Sequence, residues 1–124
     1  MNTTLPKATR FTHLIAWQKG HQLVLGIYKM TSLLPPEERY GLSVHIQRAA
    51  VSITSNIAEG FIEYQRRKRF SFIIALGSVT ELQNQLLIVR DLKLVANEIF
   101  QALAEQTKDV ARLLNALIRS LKVV

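Results

Sequence analysis

Val51-Ser52-Ile53-Thr54-Ser55-Asn56-Ile57-Ala58-Glu59-Gly60-Phe61 is the segment that most limits how this chain can fold. Its apolar residues recur at helical spacing and occupy two sides of one helix, with a narrow polar strip between them. A helix on the surface of a monomer needs only one apolar side. The segment therefore predicts a helix that packs against neighbours on two sides.

The rest of the chain has the same helical period, with no strict alternation and no Asn-Gly hairpin signal. The pattern predicts helix 1 from His13 to Leu34, helix 2 from Pro36 or Glu37 to Glu63, helix 3 from Lys68 to Arg90 and helix 4 from Val95 to Leu121. Short connections favour antiparallel neighbours, so we expect an all-α, antiparallel up-down-up-down four-helix bundle. Residues 1–12 are predicted to be a flexible N-terminal lead, and residues 13–124 a single domain.

Composition narrows the class of protein. The chain has 124 residues, of which 48% are hydrophobic, and no cysteine, which excludes disulfides, thiolate zinc sites and cysteine nucleophiles. Met1 to Arg10 lacks the apolar core of a signal peptide. No apolar run approaches the roughly 18 residues that span a bilayer. We expect a cytoplasmic protein with no membrane contact.

Helices 2 and 3 each carry a second apolar face beyond the stripe that a bundle buries. The residues on these second faces that predict an oligomer interface are Val44, Val51, Ala58, Ile62, Ile74 and Ile88. On a monomer they would form a large exposed apolar patch, and such patches usually mark interfaces. The sequence therefore predicts an oligomer. The alternative is that the second faces only widen the core.

The net charge of +7 is concentrated in a few places. The run Arg66-Arg67-Lys68-Arg69 is predicted to lie at the turn between helices 2 and 3, next to Tyr64 and Phe70. Basic side chains beside aromatic rings suit phosphate contact with base stacking. Helix 4 adds a basic stripe formed by Lys108, Arg112, Arg119 and Lys122. Both features predict binding to RNA or DNA, and the alternative for each is an ordinary solvated surface.

A polar seam is predicted beside the apolar faces of helices 2 and 3, formed by Arg48, Asn56, Glu59 and Glu81. A partly buried carboxylate must be paired, hydrogen-bonded or protonated, so we expect interhelical or intersubunit contacts with Arg48 and Asn56. The alternative is a general acid or base. The sequence holds no Glu-x-x-His pair, nucleophile elbow or phosphate-binding glycine loop. We predict no catalytic residue, metal or cofactor, and no enzyme.

Several motifs resemble one bacterial family over about residues 11–121. They include Tyr28-x-x-Thr31, Glu38-Arg39-Tyr40-Gly41-Leu42, Arg48-Ala49-Ala50-Val51-Ser52-Ile53 and Ser55-Asn56-Ile57-Ala58-Glu59-Gly60. The chain is similar to the four-helix bundle proteins encoded in intervening sequences of bacterial 23S rRNA genes. One departure is Thr54, where many members have proline, so helix 2 is expected to be straighter here.

The resemblance implies a ring-shaped homopentamer and no established activity. The architecture is also similar to the accessory protein of diversity-generating retroelements, a basic pentameric bundle that binds nucleic acid. Our leading hypothesis is a non-enzymatic scaffold that binds nucleic acid, with RNA favoured. The first alternative is an adaptor ring that docks an acidic or polymerase-type protein partner, and the second is a ring that encloses a small ligand in its central channel.

Overall fold

A computed structural model describes residues 8–121, in which four α-helices account for most of the chain. The helices are α1 (Ile15–Thr31), α2 (Leu42–Ile62), α3 (Gln65–Asp91) and α4 (Asn97–Ser120). Two short 3-10 turns lie at Phe11–His13 and Pro36–Glu38, and no strand occurs between residues 8 and 121. The predicted all-α class and four-helix bundle are confirmed.

Side-chain hydrogen bonds show how neighbouring helices are directed. Gln47 near the start of α2 donates to Thr31 at the end of α1 at 2.9 Å. The middle of α2 meets the middle of α3, while Gln85 late in α3 donates to the carbonyl of His45 early in α2 at 3.4 Å. The first and the last of these pairs each join the start of one helix to the end of its neighbour, as antiparallel packing requires.

One contiguous core fills the space between the helices. The side chains that are fully enclosed include Leu23 and Ile27 of α1, Ile46, Ile53 and Ile57 of α2, Val79, Leu82 and Leu86 of α3, and Val110 and Leu114 of α4. The apolar stripe of α2 formed by Ile46, Ala49, Ile53 and Ile57 is buried. In α4 the buried row is Leu103, Thr107, Val110 and Leu114. This row faces both α1 and α3, because the helix packs between them.

Three helix boundaries differ from the predictions by three residues or more. Helix α1 ends at Thr31, before the proline pair, and α2 begins only at Leu42. Pro36–Glu38 forms a separate 3-10 turn because Gly41 leaves the helical region, with φ −114° and ψ −102°. Helix α3 begins at Gln65, so the basic run is helical instead of lying in a turn. Helix α2 continues without a break through Thr54, whose hydroxyl donates to the carbonyl of Val51 at 3.2 Å.

Helix α3 is long and apolar enough to cross a membrane by length and composition. This is weak evidence, because core helices of soluble proteins pass the same test, and 44% of its most apolar window is buried within the bundle. The property instead reflects the two apolar faces of α3, of which the bundle covers one.

Candidate nucleic-acid interface and assembly faces

The basic run occupies the first turns of α3. Arg66, Arg67 and Arg69 are exposed, and no acidic residue lies in the first turn. Cations at a helix N-terminus oppose the helix dipole, which favours negative charge there. Arg67 is paired with Glu63 across 3.8 Å, a surface contact of small energetic value. An anion near this end would therefore relieve an unfavourable distribution of charge.

Lys68 differs from the other three members of the run. Its Nζ atom donates to the carbonyl oxygen of Phe61 at 3.1 Å and lies 5.6 Å from the centroid of the Phe61 ring. That carbonyl lies in the last turn of α2, where the carbonyl oxygens accept no hydrogen bond from within the helix. Lys68 thus caps α2 and is half-buried. The sequence alone predicts the same role, contact with nucleic acid, for all four residues of the run.

Two aromatic rings stand out from the protein surface beside the run. Tyr64 is 86% exposed and Phe70 is 63% exposed, and Ile62 next to them is 74% exposed. Neither ring takes part in an aromatic pair among residues 8–121. Exposed rings next to guanidinium groups have the chemistry of a stacking platform for unpaired bases.

The fold gathers positive charge at one end of the bundle, where α1 and α3 begin and α2 and α4 end. We call residues 8–20, 56–72 and 112–121 the basic end. It holds eight basic residues and two acids, a net charge of +6, whereas residues 21–55 and 73–111 hold six basic residues and seven acids, a net charge of −1. Arg10, Arg119 and the run share this end although they are far apart in sequence. This asymmetry was not visible along the sequence.

The predicted basic stripe of α4 is partly neutralised. Lys108 is paired with Glu105 at 3.3 Å, and Arg112 is paired with Asp109 at 3.6 Å. Among the residues that the structure describes, Arg119 is the member of the stripe without an acidic partner within 4 Å. Lys122 lies outside the described residues. The free charge of this helix is therefore at its C-terminal end, near the run.

The polar seam is exposed in the single chain. Arg48, Glu59 and Glu81 are all exposed, and none of them takes part in an ion pair within residues 8–121. Arg48 and Glu59 are eleven residues apart on one helix, which separates them by about 16 Å along its axis. Asn56 instead donates to the carbonyl and the hydroxyl of Ser52, at 2.8 and 3.1 Å. The predicted contact of Glu59 with Arg48 does not form within one chain.

A serine pair that sequence reasoning missed links α2 to α3 beside this seam. The hydroxyls of Ser52 and Ser78 lie 2.8 Å apart. Glu81 accepts from Gln85 at 3.3 Å. The helical period placed Ser52 on the polar strip, but only the register between α2 and α3 brings Ser78 opposite to it.

The second apolar faces remain uncovered in the single chain. Val51, Ile74 and Ile88 are 38–39% exposed, Ile62 is more exposed, and Val44 and Ala58 are half-buried. On α3 the row continues through Gly77, which has no atom within 4 Å of the position that a Cβ would take. The faces are thus not absorbed into a wider core.

No group of three or more potential metal-ligating side chains occurs within residues 8–121.

Comparisons with known proteins agree with this architecture. No curated protein matches the sequence. A crystal structure of a protein of unknown function from the S23 ribosomal protein family of Bacteroides thetaiotaomicron is similar in fold, with a TM-score of 0.79 and 20% identity. The similarity covers 85% of this chain and 99% of that one. The family model described as 23S rRNA-intervening sequence protein matches residues 12–116. The chain therefore belongs to the 23S rRNA-intervening sequence protein family.

Proposed function

We propose that the protein is a non-enzymatic scaffold that assembles as a homopentamer in the cytoplasm and binds RNA through its basic end. The observation that carries this proposal is the segregation of charge, since the basic end has a net charge of +6 and the remainder of residues 8–121 has −1. Phosphate backbones are recognised mainly by such clusters of Lys and Arg.

The groups at the basic end favour unpaired nucleotides over a duplex. Tyr64 and Phe70 offer exposed rings for base stacking, and Arg66, Arg67 and Arg69 offer charge for the backbone. The sequence contains no recognised base-reading motif beside this cluster. We therefore expect weak sequence preference and a steep dependence on salt.

Assembly multiplies the charge of one chain. The uncovered faces of α2 and α3 support self-association, and the number of subunits rests on the family resemblance. The seam is suited to the same contact, because Arg48 on one chain can pair with Glu59 or Glu81 on the next. Each subunit then presents the same basic end, and several weak sites on one assembly bind a polyanion much more tightly than one site does.

The test is a salt titration of binding to single-stranded RNA, structured RNA and DNA. The tip variant changes Arg66, Arg67 and Arg69 to Ala and retains Lys68, because Lys68 caps α2. The matched control changes Lys29, Arg90 and Lys93 to Ala, which removes the same charge from the opposite end. We expect the tip variant to lose at least tenfold in affinity for single-stranded RNA and the control to lose little.

Other results would redirect the proposal. If the assembled wild-type protein binds no nucleic acid even at low salt, the scaffold hypothesis is wrong, and an adaptor that docks an acidic or polymerase-type protein becomes the leading function. If both variants lose equally, net charge and not the basic end accounts for binding.

A further inference from the structure

A second candidate site lies at the end of the bundle opposite the basic end. A cavity of about 440 Å³ opens where α1 ends and α2 begins, and we call it the corner pocket. Its walls include Tyr28, Thr31, Arg39, Tyr40, Ser43 and Gln47. Two motifs that carry the family resemblance meet at this pocket, Tyr28-x-x-Thr31 and Glu38-Arg39-Tyr40-Gly41-Leu42. Neither motif has a role in binding at the basic end.

Ser43 is the feature that points to a ligand. It is only 8% exposed and lines the pocket, yet its hydroxyl makes no hydrogen bond within residues 8–121. Its polar neighbours are satisfied, since Gln47 donates to Thr31 and the Thr31 hydroxyl donates to the carbonyl of Tyr28 at 3.1 Å. The oxygen itself is not fully enclosed, because Ser43 lies on the wall of the open pocket. The hydroxyl of Ser43 is thus available to a molecule in the pocket.

The start of α2 adds donors at the same place. Gly41 is the N-cap and has no side chain with which to cap the helix. The first helical hydrogen bond runs from the amide of His45 to the carbonyl of Gly41, which leaves the amides of Leu42, Ser43 and Val44 without acceptors within residues 8–121. The first turn of α2 holds no acid, and the helix dipole favours an anion at this end.

Charge and aromatic surface complete the pocket. Arg39 is exposed and forms no ion pair within residues 8–121. Tyr28 and Tyr40 lie on the wall and are 46% and 86% exposed, so both rings can take a planar partner. Glu37 and Glu38 precede Arg39 in the 3-10 turn but do not line the pocket.

We propose that the corner pocket binds the phosphate group of a nucleotide. The hydroxyl of Ser43, the free amides at the start of α2 and the guanidinium of Arg39 donate to the phosphate oxygens. The rings of Tyr28 and Tyr40 stack with the base. Because the pocket and the basic end lie at opposite ends of the bundle, this site does not depend on RNA binding at the basic end.

Calorimetric titration of the full chain with adenosine 5′-monophosphate, and with adenosine for comparison, tests the proposal. We expect the monophosphate to bind at least tenfold more tightly than adenosine. Ser43→Ala and Arg39→Gln should each weaken monophosphate binding about tenfold, as expected for loss of a hydrogen bond to a charged group. Ser55→Ala, an exposed serine of α2, and Arg69→Gln, at the basic end, are the matched controls and should bind as wild type.

A stability measurement separates lost binding from lost folding. Without ligand, Ser43→Ala should be about as stable as wild type, because the hydroxyl makes no hydrogen bond within residues 8–121 that the substitution could break. Arg39 is exposed, so Arg39→Gln should fold normally. The proposal is overturned if adenosine binds as tightly as its monophosphate, or if Ser43→Ala and Arg39→Gln both bind like wild type.

The source of the nucleotide is distinguished in the tip variant, where the basic end no longer contributes. We compare three ligands in this variant: a 5′-phosphorylated trinucleotide, the same trinucleotide with a 5′-hydroxyl group, and adenosine 5′-monophosphate. If the phosphorylated trinucleotide binds at least tenfold more tightly than the other two, the ligand is the 5′ terminus of a strand. Equal affinity for the trinucleotide and the monophosphate identifies a free nucleotide. Failure of RNA binding at the basic end would leave both results unaffected.

Discussion

Gly60 of α2 lies directly against the ring of Phe72 in α3. A Cβ atom at Gly60 would lie 2.7 Å from Cε1 and 2.9 Å from Cδ1 of Phe72. The ring is itself only 2% exposed and has little room to move. The absence of a side chain at Gly60 therefore sets how closely the two helices approach each other at the basic end.

Gly60→Ala should destabilise the protein. Overpacking of a core costs about 1–3 kcal/mol, which outweighs the gain of up to about 1 kcal/mol from replacing glycine in a helix. Urea unfolding should show a lower midpoint with an unchanged slope. A variant as stable as wild type would mean that the contact between α2 and α3 relaxes without cost.

Gly77→Ala is the matched substitution, because its Cβ would point into open space in the single chain. In a monomer it should raise the free energy of unfolding by about 0.5–1 kcal/mol through helix propensity. If the outer face of α3 packs closely against another subunit, the same methyl group should weaken the assembly. Unfolding measured at several protein concentrations separates these effects, since only the second depends on concentration.

Light scattering at micromolar concentration should give about five times the chain mass of 14.1 kDa. Ala58→Glu, on the second face of α2, should dissociate the assembly, because it places an unpaired charge in an apolar contact. Ala102→Glu adds the same charge to an exposed site on α4 and should leave the mass unchanged. A wild-type protein of monomeric mass would exclude the ring and the multivalent binding that depends on it.

Lys68→Met and Arg69→Met should separate stability from RNA binding. Lys68→Met should lower the free energy of unfolding by about 1 kcal/mol, because it removes the hydrogen bond to the carbonyl of Phe61. Arg69→Met should change stability by less than about 0.5 kcal/mol, as exposed substitutions usually do, and should weaken RNA binding. Urea unfolding measures the stability of the two variants, and filter binding on the same preparations measures their affinity for RNA. Equal effects of the two variants on stability would show that Lys68 does not stabilise the end of α2.

Gln85→Met should stabilise the protein by about 1 kcal/mol. Gln85 is 7% exposed, and its Oε1 atom is buried without a hydrogen-bond partner within residues 8–121. A buried acceptor without a partner costs about 1–3 kcal/mol. The two bonds that the substitution removes, from Nε2 to the carbonyl of His45 and to the carboxylate of the exposed Glu81, are both long, at 3.4 and 3.3 Å. A loss of stability on thermal unfolding would show that Oε1 does have a partner in the assembled protein.

The sequence by itself determined the helical class, the number of helices and the buried stripe of α2 that includes Ile53 and Ile57. These features follow from the spacing of apolar residues along the chain, which has the helical period of 3.6 residues, and from the prolines, which end a helix near their own position. It also identified the second apolar faces that the single bundle leaves uncovered. Such a face depends only on the angular positions of side chains around one helix, which the sequence contains in full.

Only the tertiary structure decided which side chains lie opposite one another on neighbouring helices. It assigned Lys68 to the carbonyl of Phe61, separated Arg48 from Glu59 and gathered distant basic residues at one end of the bundle. It also left the hydroxyl of Ser43 in the corner pocket without a partner from residues 8–121. These relationships depend on where each helix begins and on the register between helices. A shift of a single residue turns a side chain by about 100°, which is enough to move it from the core to the surface.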